Sequence, residues 1–353
     1  YNQTIHSVVV EILMHWYDLS EESILYISEG TLHSIFNEAI AKAGNIRQLA
    51  KSLQLSNPSF YYLRDGITKA VTVRKLRALL KYLDKDLDLY DREVKEIRKG
   101  KKYSIMNPRL PFNLQCEDGA YLIGCLLSDG TIYIDKKARG ITRLKYSSSD
   151  TESTERFIEK LNNIFGTVHI QIENNGRNAY LKVGSSAVSK AFIRVGVPVG
   201  NKTSQECRIP GFIKSNNVLL RAYFQAIFSD EGSVAGGKNY APYIILSRSQ
   251  WVDSLFEIQK QEFLKQIVRR HGAMNILPTG HKNYFLNRGK LKLLVLGDIF
   301  SILTNDGICK LSLDEAESLK NFGIDARIWV RGLSVTNNGH LSVQTCLIIN
   351  RKQ

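Results

Sequence analysis

Hydrophobic and polar positions follow two different periods along this chain. From residue 31 to residue 83, apolar side chains recur every three or four positions, which is the spacing of amphipathic helices. The pattern is interrupted at Gly44, Asn57-Pro58 and Asp65-Gly66, and the short break between the second and third helices is typical of a helix-turn-helix. We therefore predict a small all-α DNA-binding domain over residues 1–83.

The next segment, residues 84–117, is interpreted as a basic linker because its charge changes sign and it ends in a proline-containing stretch. It begins with several aspartates and becomes basic at Arg98–Lys102. Residues 42–109 together contain 17 Lys+Arg against 7 Asp+Glu, a formal charge of +10. This positive field is expected to attract a polyanion to the amino-terminal domain and the linker.

From residue 118 onward, helical and strand periods alternate, and an internal repeat is present. Ala120–Gly130 aligns without gaps on Ala222–Gly232. Each copy continues as helix, two strands, helix, two strands and helix. The predicted fold class is therefore α+β, with two α-β-β-α-β-β-α units related by a pseudo-twofold axis. We predict the first unit at 118–216, the second at 217–311, and a helix plus β-hairpin extension at 312–353.

The aligned segments carry small residues at every fourth position, a spacing that lets two helices approach closely. Each helix is predicted to end at an acid and a glycine, Asp129-Gly130 and Glu231-Gly232. Glycine at this place suits a left-handed helix cap. Two carboxylates at the negative ends of paired helices repel each other, and a hard divalent cation such as Mg²⁺ would relieve the repulsion. The predicted helix-interface residues are Ala120, Gly124, Ala222 and Ala226.

Leu122–Gly130 resembles the nine-residue LAGLIDADG motif, and Phe224–Gly232 resembles a second, looser copy. Their spacing is similar to that in single-chain LAGLIDADG homing endonucleases. The resemblance implies two units that form a β-saddle on double-stranded DNA. It also implies metal-dependent double-strand cleavage at a long target site, with Mg²⁺ as the cofactor and Mn²⁺ as a substitute.

By position in the motif, the resemblance assigns the catalytic metal ions to Asp129 and Glu231. Asp230 and Gly130 are further candidate ligands, because Asp230 also precedes the second motif's final glycine and Gly130 follows the first acid. The family places a lysine after the helix that closes each unit, and Lys202 and Lys310 match that location. These lysines would stabilise the charge that develops on the phosphate.

Basic and aromatic side chains on predicted strands and on the third helix are the candidate DNA contacts. Strand alternation places the members of each strand pair on one face, which the resemblance directs into the major groove. The strand candidates are Arg143, Lys145, Tyr180 and Lys182, and the amino-terminal candidates are Tyr61, Tyr62, Arg64, Lys69 and Arg74.

Composition supports a nucleic-acid partner and excludes several other classes. The 353 residues carry a formal charge of +14, with a pI near 9.4. Five scattered cysteines without a C-x-x-C pair argue against a disulfide framework or a zinc site. No apolar run is long enough to span a membrane, and no signal peptide is evident. We expect a cytoplasmic, DNA-associated monomer, because both half-sites lie in one chain.

Two alternatives remain open. A catalytically decayed nucleic-acid-binding protein, such as a transcription regulator or an intron maturase, would keep the basic surface without the chemistry. The acid in both motif copies favours the enzyme. An endonuclease-bearing intein is less well supported, because Tyr1 and the final Arg351-Lys-Gln353 lack the residues that self-splicing requires.

Overall fold

The computed structural model describes residues 13–55, 60–61, 69–99, 104–136, 141–174, 179–237, 240–251, 310–335 and 341–350. They form a mixed α/β protein with antiparallel sheets, divided into two compact units. Unit 1 comprises Tyr1–Leu122 and Ile132–Val195, and unit 2 comprises Ile123–Thr131 and Gly196–Gln353. The helices of the described residues are α1 Glu29–Ala43, α2 Ile46–Ser52, α3 Val73–Tyr82, α4 Glu117–Leu127, α5 Thr151–Phe165, α6 Ser186–Arg194, α7 Gly211–Lys214, α8 Asn217–Glu231 and α9 Lys310–Lys320.

The strands of the described residues are β1 Ile24–Ile27, β2 Ala70–Thr72, β3 Val94–Arg98, β4 Ser104–Met106, β5 Thr131–Asp135, β6 Ile141–Ser148, β7 Thr167–Val168, β8 Ile170–Asn174, β9 Ala179–Val183, β10 Gly232–Gly237, β11 Tyr240–Trp251, β12 Ala326–Val335 and β13 Leu341–Asn350. They pair into three sheets, whose strand orders are β2-β1-β3-β4-β7, β5-β6-β9-β8 and β10-β11-β13-β12.

The predicted helices of the amino-terminal region are present wherever the structure describes them. Gly44 ends α1 with φ +86°, and the Asn45 side chain then caps α2 by accepting from the Gln48 backbone amide. Of the third predicted helix, only residues 60–61 are described, and both are helical. Phe60 is fully buried and stacks on Phe36 of α1. The helix-turn-helix arrangement itself stays a prediction.

The expectation of an all-α domain followed by a basic linker is wrong where the structure forms strands. β1 and β2 lie inside the predicted helical domain, and β3 and β4 lie inside the predicted linker. Val94, Ile97 and Ile105 are buried in this sheet, while charged residues at neighbouring positions obscure their alternation in the sequence. Because β3 pairs with β1, which lies about seventy residues earlier, local periodicity could not reveal the strand.

The first repeat has the predicted order of elements. Helix α4 is followed by the hairpin β5–β6, helix α5, the hairpin β8–β9 and helix α6. Tyr146 and Leu181 are paired in register and buried, so one face of this sheet packs against the helices of unit 1. The short strand β7 is an addition to the predicted order, and it pairs with β4 of the amino-terminal sheet.

The second repeat corrects the assignment of the carboxy-terminal hairpin. In the sequence, 312–353 falls outside the repeat, but β13 pairs with β11 over the whole stretch from Tyr243 to Trp251. The order β10-β11-β13-β12 therefore matches the order β5-β6-β9-β8 in the sheet of the first repeat, which is called the first sheet from here on. In the second repeat, β12–β13 is the second hairpin. This pairing joins strands about one hundred residues apart, which sequence periodicity does not report. The remaining predicted boundaries stay predictions.

Among the described residues, no helix combines the length and the hydrophobicity that a membrane-spanning segment requires.

Candidate functional site at the paired helix ends

Small residues bring the end of α4 into close contact with α8 within unit 2. A Cβ atom on Gly124 would lie 2.8 Å from the Ala226 Cβ and 2.8 Å from the Tyr223 carbonyl oxygen. Ala226 and Ala120 are fully buried, and Ala222 is 8% exposed. Glycine at position 124 is therefore required by the distance between the two helices, because any side chain there would push them apart.

Helix α8 ends at Glu231, whereas α4 ends at Leu127, two residues before Asp129, and the predicted left-handed caps are wrong. Gly232 has φ −69° and ψ 129°, and Gly130 is absent from the positive-φ residues of the described chain. The glycines are required by crowding instead. A Cβ atom would lie 2.3 Å from the Phe228 carbonyl oxygen at Gly232, and 2.8 Å from the Leu126 Cα at Gly130. The chain turns directly into β5 or β10 after each acid.

Asp129 lies in the turn after α4, and its side chain reaches solvent. The protein around the carboxylate removes part of its hydration, which raises the pKa of Asp129. The negative charge of Asp230 raises it further, against the opposing charges of Lys202 and Arg248. In the described part of the chain, the Asp129 carboxylate takes part in no hydrogen bond or ion pair. Asp230, by contrast, accepts a 2.5 Å hydrogen bond from the Ser128 hydroxyl.

Glu231, at the end of α8, is bound by an arginine. Arg248 on β11 donates from Nη1 to Glu231 Oε1 at 2.8 Å and from Nη2 to Glu315 Oε1 at 2.8 Å. Glu315 on α9 is fully buried and also accepts from the Tyr223 hydroxyl at 3.2 Å. Burial raises the pKa of Glu231 although Arg248 lowers it. Burial alone would lower the pKa of Arg248, but Glu315 and Glu231 outweigh this effect and raise it.

Lys202 is held against the end of α4. It begins a 3-10 turn, Lys202–Ser204, in which the Asn201 side chain accepts from the Thr203 backbone amide. Its Nζ donates to the Leu126 carbonyl at 3.1 Å and also to the Ser128 carbonyl. A cation at this place complements the negative end of the helix dipole. Burial and the nearby Arg248 lower the pKa of Lys202 to about 8.

A cleft of about 340 Å³ opens beside these groups within unit 2. Lys202, Glu231 and Arg248 line it, together with hydroxyl and amide side chains such as Thr203, Ser249 and Gln250. Lys202 and the hydrogen-bond donors of this cleft suit an anionic ligand, whereas Arg248 is already bound to two carboxylates.

Lys310 differs from its predicted place. It is the first residue of α9, which precedes the second hairpin of its sheet and does not close the repeat. Its Nζ lies 3.0 Å from a Glu206 carboxylate oxygen. Lys310 therefore does not match the location of Lys202, because the second unit was predicted to end at residue 311, before the hairpin β12–β13 that belongs to its sheet.

The carboxylates suit a magnesium ion that also binds substrate. The described residues contain no cluster of three His, Cys, Asp or Glu side chains that could hold a metal ion by themselves. Mg²⁺ in phosphoryl-transfer sites is commonly held by one or two carboxylates, with water and substrate phosphate as the other ligands. Asp129, with its raised pKa and its neighbour Asp230, fits this requirement. Glu231 fits it less well, because Arg248 already binds it.

The four candidate DNA contacts of the first sheet lie on one face, opposite the buried side chains of Leu144 and Leu181. The antiparallel pairing of β6 with β9 places Lys145 opposite Lys182. Their immediate surroundings differ. Lys182 pairs with Glu173 at 2.6 Å and Arg143 with Asp135 at 3.2 Å, whereas the Lys145 ammonium lies 3.8 Å from the centre of the Tyr180 ring.

The amino-terminal candidates are only partly described. Tyr61 is 39% exposed, and Arg74 is exposed at the start of α3. Lys69 pairs with Glu29 at 2.7 Å, so part of the predicted positive field is neutralised internally. Tyr62 and Arg64 lie outside the described residues.

Sequence reasoning missed Arg248 and its partner Glu315. The repeat alignment places Ser247 opposite Ser147, so Arg248 takes the position of Ser148. A charged residue two positions after the apolar run Ile244–Leu246 was a detectable signal. Its partner was not detectable, because α9 lies more than sixty residues further along the chain.

No protein-family model and no curated protein matches the sequence. Similar solved structures include full-length DUF199/WhiA from Thermatoga maritima, with 12% identity, a TM-score of 0.32, and coverage of 69% of this chain and 54% of that chain. They also include mesophilic variants of the homing endonuclease I-DmoI, with 12% identity, a TM-score of 0.34, and coverage of 67% of this chain and 90% of that chain.

I-DmoI in complex with DNA and Ca is similar at 14% identity and a TM-score of 0.33, with coverage of 67% of this chain and 84% of that chain. The chain thus spans about half the length of full-length DUF199/WhiA. TM-scores near one third are too low to carry an inference about function, which is therefore drawn from this chain's own residues.

Proposed function

We propose that this chain binds double-stranded DNA and hydrolyses its phosphodiester bonds with a divalent metal ion, as a sequence-specific endonuclease of the homing type. The observation that carries the proposal is the convergence of Asp129, Asp230 and Lys202 at the paired helix ends. Two neighbouring carboxylates with a half-buried amine beside them form a site for a cation and a phosphate. The two LAGLIDADG-like segments support the same function.

In this proposal Asp129 holds the metal ion, and Asp230 adds negative charge beside it. The Gly130 carbonyl remains a candidate ligand. When bound, Mg²⁺ or Mn²⁺ supplies a water of lowered pKa and neutralises charge on the phosphate. Lys202 binds the phosphate oxygens and stabilises the charge that develops there. The basic face of the first sheet positions the duplex, with Lys145 above the Tyr180 ring as its most available cation.

A second candidate function is DNA binding without cleavage, as in a regulator or an intron maturase. The ion pair between Arg248 and Glu231 favours it, because a second acid that is already bound to an arginine is less available for metal chemistry. Both functions require DNA contact, so only a cleavage assay separates them.

The test is cleavage of a plasmid library with random inserts by the purified full chain, in Mg²⁺ and in EDTA. We expect Mg²⁺-dependent ends that share one sequence, and a loss of roughly 100-fold or more in Asp129→Asn. Asp325→Asn, which removes an exposed carboxylate at the start of the second hairpin, is the matched control and should cut normally. A wild-type chain that retards DNA in a gel but leaves no ends would favour the non-cleaving function.

A further inference from the structure

We propose that Arg248 takes the place of a divalent cation at Glu231, so that the paired helix ends hold a single metal ion, on the Asp129 side. The inference rests on the proposed function and names a property of the same site. It departs from the symmetric expectation in the sequence, where each motif acid serves a metal ion alike.

The first step of the argument is the geometry of the guanidinium. Its two terminal nitrogens each lie 2.8 Å from a carboxylate oxygen, one on Glu231 and the other on Glu315. The Arg248 side chain is 11% exposed and Glu315 is fully buried. A guanidinium keeps its charge at any pH a protein survives, and its planar fork holds both carboxylates in fixed directions. Glu231 therefore has a permanent positive partner.

The second step is the consequence of displacing that partner. A metal ion at Glu231 would have to compete with Arg248 for the same carboxylate. If Arg248 moved away, Glu315 would keep a buried charge whose described partner is then only the neutral Tyr223 hydroxyl. Leaving one member of a buried ion pair without its partner is strongly unfavourable. Asp129 presents no such obstacle, since its exposed carboxylate has no ion-pair partner among the described residues.

The third step is the charge of the cluster. Four carboxylates, on Asp129, Asp230, Glu231 and Glu315, accompany two cations, on Lys202 and Arg248. Their formal sum is −2, which one divalent ion neutralises. A second divalent ion would leave the cluster with a formal charge of +2 before DNA phosphates enter.

The experiment is a Mn²⁺ titration of the full chain, with free Mn²⁺ followed by electron paramagnetic resonance. We expect one Mn²⁺ for each wild-type chain, and at least about tenfold weaker binding in Asp129→Asn. Glu231→Gln should bind one Mn²⁺ with nearly wild-type affinity, and Asp325→Asn controls for the loss of a surface carboxylate. The double variant Arg248→Met/Glu315→Gln frees Glu231 without leaving Glu315 charged, and it should gain a second Mn²⁺.

The outcomes separate this inference from the proposed function. Two Mn²⁺ ions on the wild-type chain, or a loss in Glu231→Gln as large as in Asp129→Asn, would overturn the role of Arg248 while the nuclease function stands. A wild-type chain that binds no Mn²⁺, either alone or with a duplex that carries the selected site, would overturn both. If the double variant does not fold, as judged by circular dichroism, the comparison of Glu231→Gln with Asp129→Asn still decides.

Discussion

The two motif acids stand at equivalent places in the repeat but differ in what surrounds them. Asp129 projects from a turn into solvent, and a neighbouring cation, Lys202, donates hydrogen bonds to main-chain carbonyls. Glu231 forms an ion pair with Arg248, which a fully buried glutamate anchors from the other side. Two similar motifs therefore produce one acid that is available to an external cation and one that is already compensated.

The difference comes from the helix and strand that follow each motif. In the first repeat, α5 packs on its sheet through Phe157, whose ring stacks on Tyr146 with centroids 4.4 Å apart. In the second repeat, the described helix between the hairpins is α9, and it presents Glu315 to Arg248 on the central strand β11. The aromatic contact between helix and sheet in the first repeat therefore has its counterpart in the buried ion pair of the second. The two repeats share a sheet order but differ in their electrostatics.

The largest expected effect is on stability, from removal of the arginine. Arg248→Met should lower the free energy of unfolding by about 3–5 kcal/mol, because it leaves Glu231 and Glu315 without their shared partner. Arg156→Met removes a partly exposed arginine on α5 that pairs with the exposed Glu152, and it should change the free energy of unfolding by no more than about 0.5 kcal/mol. Urea denaturation of the metal-free proteins measures both. Equal effects would mean that the buried pair is no more important than a surface one.

The next effect separates the two acids in catalysis. Asp129→Asn should reduce cleavage roughly 100-fold or more, whereas Glu231→Gln should reduce it about tenfold or less, because Arg248 remains to provide positive charge beside residue 231. The measurement is the rate of nicking and linearisation of a plasmid that carries a selected site. Equal losses in the two variants would show that both acids serve the chemistry alike, and the asymmetry would then be structural only.

Much of the site could be predicted from the sequence because its signals are local. Gly124 and Ala226, which allow close packing, each lie within a single helix, where four-residue spacing is directly visible in the sequence. The motif acids lie at or just after the ends of the same helices. The face shared by Lys145 and Lys182 likewise follows from alternation along each strand, together with one register.

The features that sequence reasoning missed all depend on contacts between distant segments. The hairpin β12–β13 belongs to the second sheet only because β13 pairs with β11. The strand β3 pairs with the edge of β1, and β4 in turn pairs with β3. Arg248 and Glu315 meet across 67 residues. The left-handed caps failed for another reason, since glycine was required by close approach and not by its backbone angles.

A smaller effect, on the pH dependence of stability, distinguishes Lys202, beside Asp129, from Arg248, beside Glu231. Lys202 has a pKa of about 8 in the folded protein and about 10.5 when unfolded, so between these values the unfolded chain holds a proton that the folded chain has lost. The free energy of unfolding should therefore rise with pH from about 8 to 10.5. Lys202→Met should remove this rise, and Lys320→Met, at an exposed site, should not. Thermal denaturation of metal-free protein across this range tests it.

Arg248 should show no such dependence, because its pKa lies above the ordinary value for arginine and its proton stays in place. If the rise with pH persisted in Lys202→Met, another group would be responsible for it. The two helix ends would then not differ in this respect.

The smallest expected effect is on the salt dependence of DNA binding. It compares a lysine that has a carboxylate partner with one that is available to phosphate, both on the proposed DNA-binding face of the first sheet. Lys145 and Lys182 face each other across β6 and β9, and Lys182 has a carboxylate partner, Glu173 at 2.6 Å. A phosphate must displace Glu173 to reach Lys182, whereas among the described residues Lys145 has the Tyr180 ring beside it and no carboxylate partner. Lys145→Ala should therefore reduce the magnitude of the slope of log affinity against log salt by about 1, and Lys182→Ala should reduce it by clearly less.

Fluorescence anisotropy with one duplex over a series of salt concentrations measures both slopes. In a Glu173→Gln background, Lys182→Ala should reduce the slope as much as Lys145→Ala does. If Lys182→Ala and Lys145→Ala change the slope equally while Glu173 is present, the ion pair with Glu173 does not keep Lys182 from the phosphate. The two positions would then not differ in the availability of their charge.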